Sequence, residues 1–78
     1  MDIKLKIYDG SIYIGESRMV AEVKYKNIES YEVVTGKRAD NISRVYGIKD
    51  ENNEYLVITL ENGETATFCN SHVDMFRI

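Results

Sequence analysis

Residues 55–69 read YLVITLENGETATFC. Two runs of strand-forming residues flank Asn62-Gly63, a pair that supplies the positive φ values of a tight hairpin turn. With those two residues as the loop, Leu60 faces Thr65, Ile58 faces Thr67 and Leu56 faces Cys69. On the other side Val57 meets Phe68, and Thr59 meets Ala66. Leu56, Ile58 and Leu60 then form one aliphatic row, and Tyr55, Val57, Ala66 and Phe68 form another. A strand that is apolar on both faces is normally covered on both. Leaving either row in water would expose about 200 Å² and cost roughly 5 kcal/mol, as much as the whole stability expected of a small domain. One cover is the core. The second is the tail, through Val73, Met75, Phe76 and Ile78, an outer segment such as 27–34, or another chain. The tail is short, so the sequence points to partial cover by the tail and a partner over Val57 and Phe68.

The same reasoning extends toward the N-terminus. In IKLKIYDGSIYI, Ile3, Leu5 and Ile7 alternate with Lys4 and Lys6, a strand with one buried face. Asp9-Gly10 reads as a two-residue type I′ turn, with Ile7 opposite Ile12 and Leu5 opposite Ile14. Met19, Ala21, Val23 and Tyr25 alternate with Val20, Glu22, Lys24 and Lys26 in a third strand. Lys26-Asn27 reads as a turn or kink at which Ile28 inserts into the core, and Tyr31 and Val33 share a face of a fourth strand. Residues 35–44 carry no apolar period and read as the longest loop. RVYGIK resumes as a fifth strand. The tail NSHVDMFRI opens on Asn70 and Ser71, both helix N-cap types, with Asp74 three residues after Ser71. Two turns of helix fit, and a short final strand is the rival. The expected fold is all-β or mainly β: a small antiparallel barrel or sandwich of about seven short strands with a short C-terminal helical turn.

A chain of 78 residues is one domain, spanning residues 1–78. Net charge is −3, from 13 acidic against 10 basic residues, which disfavours direct nucleic-acid binding. No apolar run approaches the roughly 20 residues that span a bilayer, and MDIKLKIYDG lacks the unbroken hydrophobic stretch of a signal peptide. Cys69 is the only cysteine, so no intrachain disulfide forms. These features make a cytoplasmic location the expectation.

SIYIG, YKNIESYEVV, RVYGI and YLVITLENGETATFCNSHVDMF follow one another in an order that resembles bacterial pleckstrin-homology-like domains. The likeness covers residues 11–76 and rests on hydrophobicity and turns. Eight residues follow Asn70 here, where that family closes with a longer helix. An SH3-like barrel is the rival fold. The resemblance implies binding, with no defined ligand and no catalytic residue to carry over.

Cys69 and His72 stand three apart, but no third orienting group accompanies them, so a small core hydrophobe and a surface histidine are the simpler reading. No cofactor, no metal site and no enzyme activity are expected. Lys37, Arg38 and Arg44, in a loop with Gly36, offer an anion or phosphoinositide site, or are solvated. Asp50, Glu51, Glu54, Glu61 and Glu64 read as one acidic rim, which can mimic a nucleic-acid backbone, or as solvated turns. Six tyrosines is a high count for this length, and tyrosine is favoured at interfaces. Tyr8, Tyr13 and Tyr46 are candidates for an exposed cluster. The expected function is a non-catalytic protein-binding module acting by surface occlusion or assembly, on a protein partner or as a homodimer. The alternative is a small acidic phage or mobile-element inhibitor of a nucleic-acid-handling enzyme, of the anti-defence (anti-CRISPR) type.

Overall fold

The computed structural model describes residues 1–36 and 53–78. The fold is mainly β. The strands are β1 (Ile3–Tyr8), β2 (Met19–Tyr25), β3 (Ser30–Thr35), β4 (Glu54–Thr59), β5 (Thr65–Cys69) and β6 (Val73–Arg77), with a 3-10 turn at Asn70–His72. They form two antiparallel three-stranded sheets, ordered β2-β1-β6 and β3-β4-β5. The fifth expected strand, RVYGIK, lies outside the described residues.

β1 follows its alternation. Ile3 and Leu5 are fully buried, and Lys4 and Lys6 lie on the opposite face. The inner faces of the two sheets meet in one core, where Ile3, Leu5 and Val73 of the first sheet pack with Leu56 and Ile58 of the second and with Ile28.

Among the described residues the chain changes sheet at two corners. After β2, Asn27 takes a left-handed conformation at φ 56°, which asparagine tolerates better than most side chains. Its N–H donates to Asp2 Oδ1 at 3.0 Å. Ile28 N–H donates to the Met1 carbonyl and Glu29 N–H to the Thr59 carbonyl, both at 2.8 Å. Ile28 thereby reaches the core, as its place at the kink predicted. The second corner is the 3-10 turn that carries β5 of the second sheet into β6 of the first.

The first hairpin differs from expectation. Asp9-Gly10 does not join β1 to a strand at 11–15. β1 pairs with β2 instead, setting Ile3 opposite Tyr25, Leu5 opposite Val23 and Ile7 opposite Ala21. The two-residue turn would have matched Ile12 and Ile14 with β1, whereas β2 supplies six partners and three core-facing side chains. The longer ladder wins, and residues 10–17 become an excursion.

The opening hairpin also shifts by one residue. Leu60 N–H donates to the Glu64 carbonyl at 2.7 Å, and Gly63 N–H to the Leu60 carbonyl at 3.0 Å. The loop is therefore Glu61-Asn62-Gly63, with Gly63 left-handed at φ 85°. Leu56 now faces Phe68 and Ile58 faces Ala66, while Val57 faces Thr67. The slip exchanges the two faces of β5. Ala66 and Phe68 join the core, and Thr65 and Thr67 leave it, which buries more apolar surface than the two-residue loop would.

β4 is nonetheless apolar on both faces, and both are buried within the chain. Tyr55 and Val57 join Val34 in a second cluster, with Cys69 packed against it. The tail is not its cover. Residues 73–77 form β6, paired with β1 in the other sheet. The helical tail is corrected to a strand because β1 offers a free edge, and Val73 and Met75 meet its core face opposite Ile7 and Leu5.

Candidate binding surface

The excursion between β1 and β2 is a built loop. Asp9 N–H donates to the Arg18 carbonyl at 3.0 Å, and Arg18 N–H donates to Asp9 Oδ1 at 2.9 Å. Arg18 Nε lies 3.8 Å from Asp9 Oδ2. Inside this clamp, Ser11 turns the chain: its Oγ accepts from Tyr13 N–H at 3.2 Å and its carbonyl from Ile14 N–H at 3.3 Å. Ile12 N–H donates to the Ser71 carbonyl at 2.8 Å, tying the loop to the second corner. Gly15, at φ 87°, carries the return path. The result lifts two large apolar side chains into solvent, with Tyr13 73% and Ile14 78% exposed.

Tyr13 also lines a recess of about 240 Å³ with Asn53, Glu54, Asn70 and Ser71. Asn70 Nδ2 lies 3.5 Å from Glu54 Oε2 across it. On the outer face of the first sheet, Phe76 is half-exposed beneath two ammonium groups, with Lys4 and Lys6 Nζ at 5.5 and 5.3 Å from the ring centroid.

The structure distributes the sequence-predicted residues unevenly. Tyr13 is exposed. Tyr8 is partly buried on the outer face of the first sheet, opposite Met19. Tyr46 lies outside the described residues, as do Lys37, Arg38, Arg44, Asp50 and Glu51. Val57, at 3% exposure, belongs to the second cluster, so it offers a partner no surface. Phe68 is turned inward, its ring edge-on to Tyr25 at 6.4 Å between centroids. Of the acidic rim, the described members lie apart: Glu54 begins β4, whereas Glu61 opens the turn beyond its other end and Glu64 follows it, about 20 Å away at 3.3 Å per residue. Ile14, which the short-hairpin reading assigns to the core face, is the exposed residue that sequence reasoning missed.

Cys69 Sγ contacts Ser71 Oγ at 3.3 Å beside the second cluster, and His72 is partly buried in the 3-10 turn. Among the described residues, no three His, Cys, Asp or Glu side chains gather closely enough to hold a metal ion. No helix among them is long and apolar enough to cross a membrane.

No family model matches the chain, and no curated protein and no solved structure matches it. The pleckstrin-homology-like resemblance therefore rests on the residue pattern alone.

Proposed function

We propose that this chain is a non-catalytic protein-binding module whose contact element is the loop between β1 and β2. The observation that carries this reading is the exposure of Tyr13 and Ile14 on a loop fixed at both ends. Leaving a large apolar side chain in water is unfavourable, and the loop holds two of them side by side. The Asp9–Arg18 clamp and the Ile12–Ser71 tether reduce the ordering cost of binding, so these two side chains act as preorganised anchors. The recess beside Tyr13 adds a rim of amide, hydroxyl and carboxylate groups suited to hydrogen bonding.

The acidic-inhibitor alternative draws on small size, net acidity and an acidic rim. Among the described residues Glu54 stands apart from Glu61 and Glu64, so the anchor loop is the stronger basis.

The test is sedimentation velocity of fluorescently labelled protein in extract from the cells that make it. The wild type sediments faster in extract than it does in buffer at the same concentration. A Tyr13→Ala, Ile14→Ser variant with an unchanged melting temperature sediments in extract as it does in buffer. Equal sedimentation of the two forms overturns the assignment.

A further inference from the structure

The first sheet is ordered β2-β1-β6, so among the described residues no strand lies against the outer edge of β2. β2 is seven residues long, and Met19, Val20, Ala21, Glu22 and Lys24 are exposed. An open edge of this length without proline is a template for another strand.

The charges along β2 indicate which strand. Lys24 stands directly opposite Lys4 of β1, an unfavourable like-charge pair. Glu22 is the carboxylate of this stretch, and it bridges Lys4 at 3.3 Å. Among the described residues, no carboxylate forms an ion pair with Lys24. Ala21 is a second unfilled position: it lies on the core-facing side opposite Ile7, yet it is exposed.

We infer that β2 pairs antiparallel with β2 of a second copy of this chain, with the two-fold axis at Val23. Glu22 of each copy then faces Lys24 of the other, twice over. Ala21 faces Tyr25 of the second copy, and Val20 faces its Lys26. The two sheets join into one six-stranded sheet in which Lys4, Glu22 and the second copy's Lys24 alternate in sign. Other registers are worse. An axis at Glu22 sets two glutamates against each other, and an axis at Ala21 sets Arg18 against Lys24. An axis between residues opposes the core-facing side of one strand to the solvent side of the other. This contact is separate from the Tyr13–Ile14 loop and stands or falls without it.

Charge inversion across the axis tests both the contact and its register. The mass of the wild type, followed by sedimentation equilibrium, rises with concentration from 9.0 kDa toward twice that value. E22K opposes lysines in its own homodimer and K24E opposes glutamates, so each alone stays a single chain. An equimolar mixture of the two variants forms two lysine–glutamate pairs and regains the dimer mass. Melting curves establish that each variant is folded. A variant-free check uses wild type mixed from two isotope labels, in which backbone NOEs between Glu22 and Lys24 of different copies are expected. A wild type that stays a single chain at every concentration overturns the inference. So does a dimer indifferent to both inversions, a mixture that fails to recover, or a dimer without those NOEs.

Discussion

Phe68 stands directly opposite Leu56 across the β4–β5 hairpin, one residue away from the Val57 pairing that a two-residue turn would impose. That placement turns Phe68 into the core, and the length of the turn is what secures it. Gly63 supplies the left-handed residue that makes the loop three residues long. A Cβ at this position meets nothing within 4 Å, so backbone strain is the whole cost of substituting it. Gly63→Ala is expected to lower stability by about 1–2 kcal/mol in chemical denaturation. Phe68→Ala is expected to cost about 2–4 kcal/mol, through lost core packing.

Asn27 makes the complementary case at the first corner. It is left-handed without being glycine. Asn27→Gly relieves the strain and keeps the N–H that binds Asp2, so its midpoint is expected to stay near that of the wild type. Asn27→Ala retains the strain without the asparagine preference, and is expected to lose about 1 kcal/mol. Equal midpoints for the two variants would show that the corner is held by other contacts.

The loop clamp predicts a split between stability and binding. Asp9→Ala removes the acceptor for Arg18 N–H and costs about 0.5–1.5 kcal/mol. Hydrogen exchange at the Arg18 amide is expected to accelerate, and partner affinity to fall even though Tyr13 and Ile14 are intact. Asp9→Asn keeps an acceptor oxygen and is expected to retain most of both. An unchanged Arg18 exchange rate in Asp9→Ala would contradict the clamp.

Cys69 is expected to act through packing. It is partly buried against Val34, Tyr55 and Val57. Cys69→Ala is expected to cost about 1 kcal/mol and to leave partner binding unchanged. Loss of binding at unchanged stability would give the thiol a functional role.

Much of the fold is legible in short stretches. Alternation in β1 and β2 sets their faces, and Ile28 after the Lys26-Asn27 kink marks a corner. The misreadings arise where local signals leave more than one outcome. Asn62-Gly63 suits loops of two or three residues, and only the burial of Phe68 against Leu56 decides between them. Asp9-Gly10 suits a tight turn, but β1 finds a longer partner ten residues further on. Ser71 and Asp74 carry a helix-cap spacing, and the free edge of β1 overrides it. The proposed binding surface inherits these errors. Tyr13 points outward in either arrangement, so it is legible. Ile14 becomes solvent-exposed only once the short hairpin fails. Val57 reads as surface until Val34, distant in sequence, joins it on the outer face of β4.

The most direct measurement replaces Tyr13 with a photo-crosslinking amino acid in living cells, with the same replacement at exposed Ser30 as the reference position. A discrete adduct to a partner protein is expected at position 13, absent at position 30, and lost when Ile14→Ser is added. No adduct at position 13, or the same adducts at both positions, would contradict the assignment of the β1–β2 loop as the contact element.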